Sequence, residues 1–395
     1  MKAQEAVVVG AGIGGLGTAI GLTRAGWHVT VLERARELRP VGGGLGLTPN
    51  GVHALKALGA GDRVRAAATE QSHGGIRTPS GDWISRTDLS FIHARYGEPV
   101  MAIHRARLID ILRELLPSGA LVTGTPVSFV DPGGPQGRAH VHTKDGVHAA
   151  DLVVAADGIR SAIRAELFPA HPGLTYAGYT SWRVVLNAPE VTIAGETWGR
   201  GKRFSILPLP DGLVHCSALA VAPPGCRSDS LSELAGRFGT WHSPIPELIE
   251  ASGASEVVHR DIEELAVRLP RFHAGRVALV GDAAHAMTPN LGSACLALED
   301  AVTLSHLVTA APDDGITDAL ARYSRWRGPR SAALARMSRR IGEAGKLSFA
   351  PAVTVRNAGF RIAGLMPSLT VRALDQMMDW RPPTVVSGQP AASAR

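Results

Sequence analysis

The stretch Ala6-Val7-Val8-Val9-Gly10-Ala11-Gly12-Ile13-Gly14-Gly15, continued by small residues at helical spacing through Ala19, Leu22 and Gly26 and closed by His28-Val29-Thr30-Val31-Leu32-Glu33-Arg34, decides the fold. An apolar run that stops at a glycine cluster reads as a buried parallel strand. The small residues make a helix, and the second apolar run makes a second strand, which completes a βαβ unit. Gly10 permits the tight turn, Gly12 lets backbone amides reach a diphosphate, and Gly15 lets the helix lie close on the strand. The helix start, at Ile13 and Gly14, offers free N–H groups and partial positive charge. Glu33, eighteen residues beyond Gly15, stands where a carboxylate accepts hydrogen bonds from a ribose, with Arg34 beside it. The unit predicts a dinucleotide site in an α/β protein.

At 395 residues the chain has room for two domain-sized cores, or one large core with an embedded lobe. Its net charge of +6 comes from dispersed arginine, with no lysine-rich tract or interleaved aromatics, which argues against a nucleic-acid partner. Cys216, Cys226 and Cys295 show neither metal-ligand nor disulfide spacing, so no metal is expected and a reducing, cytoplasmic setting is. No apolar stretch reaches the length of a membrane span. A monomer or homodimer is expected.

Outward from the first unit, the glycine-rich Gly42–Asn50 reads as a loop suited to close approach by a flat ring, Gly44 included, with Asn50 capping a helix over 51–58. Arg105, at a strand-to-helix junction after His104, reads as a phosphate partner or as a plain surface arginine. Leu121–Val130 and Arg138–His148 form a hairpin or meander. The strand from Asp151 ends in Asp157-Gly158, a second close backbone approach to a polar ligand. Ser161 begins a helix, with Arg160 and Arg164 serving a phosphate or pairing with Asp157. Alternating strands occupy Thr175–His259, with Asp211-Gly212 as a hairpin turn. There Tyr179, Ser181 and Arg183 point one way, and Trp182, Val184 and Leu186 the other. Substrate contacts are expected from Tyr179, Arg183, Phe204 and His215. Arg183 would hold a carboxylate or pair with a nearby acid. His215 would act as a base or be a satisfied or solvent-facing strand histidine. A further buried strand ends in Gly281-Asp282, where the acid suits a polyol chain. Pro289-Asn290-Leu291-Gly292 then leads into a helix over 293–307, whose start, Ser293-Ala294, can place positive potential beneath a ring that becomes anionic on reduction.

Gly10-x-Gly12-x-x-Gly15 with Glu33, Asp157-Gly158 with Arg160, and Gly281-Asp282 running to Pro289 together resemble the single-component FAD-dependent aromatic hydroxylases of the para-hydroxybenzoate hydroxylase fold. Tyr179-Thr180-Ser181-Trp182-Arg183 and His104-Arg105-Ala106 resemble its salicylate hydroxylase and zeaxanthin epoxidase branch. The resemblance implies a Rossmann-like FAD-binding domain over 1–71, 100–171 and 271–345. It implies an inserted β-sheet substrate domain over 72–99 and 172–270, and a C-terminal helix and flexible tail over 346–395. It implies that the first glycines hold the FAD diphosphate, Glu33 the adenosine ribose, Arg105 the phosphate region and Asp282 the sugar or ribityl hydroxyls. Asp157 would serve both FAD and NADH or NADPH, and the segment after Pro289 would border the flavin ring. The implied activity is monooxygenation of an aromatic or polycyclic small molecule by O2 through a flavin C4a-hydroperoxide. Alkene epoxidation, structural FAD and non-redox cyclisation are the alternatives. One departure stands out: Gly292-Ser293-Ala294-Cys295 is one residue shorter than the family's usual glycine loop, a harmless variant or one that shifts the ring.

Overall fold

The computed structural model describes residues 4–38, 43–135, 137–225, 230–255, 257–312, 314–364 and 367–383. Gly42, Cys226, Met366 and the tail from residue 384 fall outside these ranges. A six-stranded sheet has Glu5–Val9 near its centre, flanked by Leu152–Ala155 and then Val277–Leu279 on one side and by His28–Leu32 and Leu121–Val122 on the other. These five strands run parallel, with Val7 opposite both Val153 and Thr30, and His273–Ala274 closes one edge antiparallel. Strands buried on both faces need continuous apolar sequence, which is why Val7-Val8-Val9 and Leu152-Val153-Val154 lack alternation. The helices Ile13–Arg24 and Ser293–Thr309 pack together over this sheet.

The second large sheet has seven strands, in the order Val258–Leu265, Leu174–Asn187, Leu213–Val221, Lys202–Pro208, Gly195–Trp198, His73–Arg77 and Trp83–Asp88. Here period-2 alternation separates two faces. Trp182, Val184, Leu186, Phe204, Ile206, Val214 and Cys216 bury a second core under the helices Ser230–Phe238 and Ile245–Ala251. The other face carries Ser181, Arg183, Arg203, Ser205, His215 and Ser217, with Arg183 opposite Ser217 and Ser217 opposite Ser205. The fold is thus α/β, with a Rossmann-like sheet, an inserted antiparallel sheet and C-terminal helices at Ala350–Gly364 and Pro367–Met378.

Two local expectations are corrected. Gly44–Leu47 is a strand, not a loop, because it pairs antiparallel with Met101–His104. The next helix runs Pro49–Ala57 with Thr48 at its N-cap, so Asn50 lies inside its first turn and caps nothing. Instead the buried Asn50 amide donates to Glu299 Oε1 at 2.7 Å.

Candidate active site

The three strand ends of the parallel sheet bring the glycine loop, Asp157-Gly158 and Gly281-Asp282 to one edge, since Glu5–Val9, Leu152–Ala155 and Val277–Leu279 are neighbours. Gly10 takes φ +104°, and a Cβ there would stand 2.4 Å from the Ala156 carbonyl oxygen. A Cβ on Gly15 would stand 2.0 Å from the Gly10 oxygen, so only glycine lets helix and strand meet. Around Gly12, by contrast, a Cβ would meet nothing within 4 Å, which leaves backbone open to a ligand. The Glu33 carboxylate accepts from Ala11 N–H at 2.8 Å through Oε2 and from Ala35 N–H at 2.9 Å through Oε1, so it also braces the glycine loop. Arg34 is exposed. Beside Glu33 lies a cavity of about 690 Å³ lined by Ala11, Gly12, Arg36 and Ile109.

Asp157 Oδ2 accepts weakly from Ile163 N–H at 3.4 Å, and Oδ1 is buried with no partner. Gly158 is at φ +85° with open space around it. Neither neighbouring arginine forms an ion pair with Asp157 among the described residues. Arg160 pairs with Glu263 at 2.6 Å, because that acid on the inserted sheet reaches it first. Buried Arg164 donates to the carbonyls of Ile159, Asp282 and Ala283 at 2.6, 3.3 and 3.2 Å, stapling the second acidic motif to the third. Asp282 is half-buried, and its carboxylate accepts no hydrogen bond from the described residues. Its loop is fixed from behind by Asp300, whose Oδ2 accepts from Gly281 N–H at 3.0 Å and from His285 Nε2 at 2.5 Å. Burial opposes charge on Asp300, but His285 and Arg327 hold its carboxyl down at about 2.

On the inserted sheet, His215 is buried beside Gly43, where a Cβ would stand 2.2 Å from its Cε1. Gly44 likewise presses on His215 and Leu209. Burial, reinforced by the positive charge of Arg183, lowers the imidazole to about 4, so it is neutral at physiological pH. Its Nδ1 has no partner, so His215 is neither solvent-facing nor fully satisfied. Arg183 has no acid within ion-pair reach among the described residues, which removes the pairing alternative. Burial and the nearby Arg105 lower its guanidinium. Arg105 is exposed and likewise unpaired among them.

Phe204 lies on the far face, edge-on to Phe238 at 5.6 Å, because alternation along its strand turns it into the second core and away from the cleft. Tyr179 is buried, and its hydroxyl accepts from Asn290 Nδ2 at 3.3 Å. Asn290 also donates to Thr288 Oγ1 and the Ser338 carbonyl, and accepts from Arg203 at 2.6 Å. The Pro289–Gly292 segment is therefore pinned to both the inserted sheet and the long helix Ile316–Lys346, and the helix Ser293–Thr309 starts directly after it.

Sequence reading missed Asn290, Arg203 and the network of Glu299, Asp300, Arg327 and Arg330. The only signal was two adjacent acids, Glu299-Asp300, in an otherwise apolar helix, which a buried helix tolerates only with partners. FAD fits these residues: an orphaned carboxylate oxygen at Asp157, open backbone at Gly12 and Gly158, a nucleoside-sized cavity at Glu33 and a free cation at Arg105 are what a dinucleotide diphosphate requires.

The family described as "FAD binding domain" matches residues 3–206 and 256–338. Aurachin C monooxygenase/isomerase of Stigmatella aurantiaca is 39% identical over 364 residues, covering 90% of this chain and 93% of its own. 3-Amino-4-hydroxybenzoate 2-monooxygenase of Streptomyces cremeus is 35% identical, covering 90% and 91%. The crystal structure of Klebsiella pneumoniae HpxO complexed with FAD and uric acid superposes with TM-score 0.86 at 27% identity, covering 95% of this chain and 96% of that one. Among the described residues no helix is long and apolar enough to cross a membrane. With the strand-end motifs gathered at one edge and these relatives spanning nearly the whole chain, the protein belongs to the FAD-binding-domain family of FAD-dependent aromatic monooxygenases.

Proposed function

We propose that the enzyme hydroxylates a flat aromatic or polycyclic substrate carrying an acidic hydroxyl, ring N–H or carboxylate, with NADH or NADPH as reductant and O2 as co-substrate. The observation that carries this reading is the unpaired Arg183 beside the buried, neutral His215, on the face of the inserted sheet that Gly43 and Gly44 approach. FAD supplies the redox and oxygen-activating chemistry when bound. Amides at Gly10, Gly12, Ile13, Gly14 and Gly15 and the cation of Arg105 hold its phosphates, and Glu33 and Arg34 its adenosine ribose. Asp157, Gly158 and Asp282 hold its hydroxyls, and Gly44, Pro289, Gly292, Ser293 and Ala294 border its ring. Arg183 draws an anionic oxygen of the substrate into the cleft. His215, held neutral, offers a ring nitrogen that accepts a hydrogen bond from the substrate's acidic group, while the Arg183 cation favours the anion that enriches the ring to be oxygenated. Tyr179 holds the Pro289 segment through Asn290 and so shapes the pocket wall.

We propose the division into 1–71, 100–171 and 271–345 for cofactor, 72–99 and 172–270 for substrate, and 346–395 as a C-terminal helix and tail, supported by a large core around the parallel sheet and another around Trp182, Phe204 and Phe238. A cytoplasmic monomer or homodimer accords with this reading. Relatives named for an aminohydroxybenzoate, for urate and for 2-heptyl-3-hydroxy-4(1H)-quinolone define the panel to test. The purified protein should show an oxidised-flavin spectrum. NAD(P)H consumption should rise with at least one phenol, purine or alkylquinolone, and one atom of labelled O2 should enter the product. A folded, FAD-loaded sample that consumes no NAD(P)H with any of them would overturn the proposal.

A further inference from the structure

On the side of the Gly281–Ala286 loop away from Asp282, the segment 264–273 and the long helix Ile316–Lys346 enclose a second cavity of about 680 Å³. Part of its wall is apolar, from Leu265, Leu269, Phe272, Ala286, Ala332 and Ala335. Arg268, Arg271, Arg325 and Arg336 also line it, all exposed. None of the four makes an ion pair or side-chain hydrogen bond with the described residues. The one acid in the wall, Glu264, is consumed by Arg339 at 2.8 Å. The surrounding sequence holds no other acid: none occurs from Ala266 to Gly281, and none between Asp318 and Glu343, a span that contains seven arginines. His285 completes the wall with its Nε2 on Asp300 and its Nδ1 buried without a partner.

Four uncompensated guanidinium groups around an apolar hollow carry more positive charge than a single carboxylate would neutralise. Their planar forks match phosphoryl oxygens. We propose that this groove is a second ligand site, separate from the FAD cleft, that takes an organic phosphate: a phosphoryl or diphosphoryl head on the arginines, and a flat or apolar body against Leu269, Phe272 and Ala332. Through His285, Asp300 and the Gly281 amide, an occupant would bear on the loop that presents Asp282.

The test uses the full FAD-loaded chain, with inorganic pyrophosphate, ADP, NADPH and phosphatidylglycerol vesicles as separate probes, compared with the double variant Arg268→Ser/Arg336→Ser. At least one probe should bind the wild type by calorimetry or co-sedimentation. The double variant should weaken that binding about tenfold or more while its flavin absorbance and melting temperature stay unchanged. Strongest binding of NADPH, with a raised KM and unchanged kcat in the variant, identifies the nicotinamide co-substrate as the source. Vesicle binding lost in the variant identifies a lipid headgroup. If no probe binds, or if every probe binds the variant as it binds the wild type, the site does not exist, whatever the enzyme's activity.

Discussion

His215 shows how much a single side chain can depend on what is missing beside it. Gly43 and Gly44 have no Cβ, so a strand can lie directly on the imidazole, and the burial that results keeps the ring neutral. Because its folded value of about 4 lies below the 6.5 usual for histidine, the neutral ring contributes its full stability above about pH 6.5. That contribution is lost as pH falls toward 4, by about 3 kcal/mol over the window. Urea denaturation at pH 7 and pH 5 should therefore show the His215→Gln variant losing less stability than the wild type on acidification; parallel losses would refute the burial argument. Arg183 gives a kinetic counterpart. With no acid among the described residues to answer it, Arg183→Ala should raise KM for an anionic substrate by about ten- to a hundredfold, the worth of a charge-assisted hydrogen bond. Flavin content should not change, and Arg183→Lys should recover only part of the loss, since an ammonium lacks the bidentate fork. An unchanged KM in the alanine variant would remove Arg183 from the site.

At the level of elements, the helix Ser293–Thr309 does two jobs that pull against each other. It must be apolar to lie beneath the helix Ile13–Arg24, yet it carries Glu299 and Asp300, both fully buried. Arg327 compensates both, at 2.6 Å to each, and Arg330 adds a second cation on Glu299. Breaking such a buried set from one side leaves a charge in low dielectric. Arg327→Leu should cost about 3–5 kcal/mol in denaturant unfolding and should also weaken FAD retention, because Asp300 holds the Gly281 amide. A cost below about 1 kcal/mol would mean that the acids find other partners. The same element shows where sequence reading reaches and where it stops. The first βαβ unit, Glu33 and the helix beginning at Ser293 were legible because each rests on spacing within a few tens of residues. Arg203 and Asn290 were not, because partners that fix them lie 87 and 111 positions away and no local pattern marks them, and the bond of Arg164 to the Asp282 carbonyl, 118 positions away, was hidden for the same reason. Phe204 was misplaced for a different reason: alternation gives two faces, but not which one looks toward the cleft.

Among the described residues there are two large hydrophobic cores, one around the parallel sheet and one beneath the inserted sheet, and polar contacts run between them. Asn290 is the most connected of these contacts, joining Tyr179 and Arg203 on one side to Thr288 and Ser338 on the other. Apart from Leu174 and Leu265, whose strand ends reach into the first core, the two are separate apolar clusters, so the directional hydrogen bonds between them carry much of their coupling. On the proposed arrangement FAD would add a second tie, because the residues proposed to hold it come from the parallel sheet while Arg183 and His215 would face it from the other. Ligand at a hundred times its Kd would add about 2.7 kcal/mol to whichever unit binds it. Calorimetry of the FAD-free Asn290→Ala variant should therefore resolve two transitions where the wild type gives one, and excess FAD should raise the transition of the parallel-sheet core more than the other. A single transition in the variant, moving as one with FAD, would show that apolar contact across the boundary couples the cores and that Asn290 only shapes the Pro289 segment.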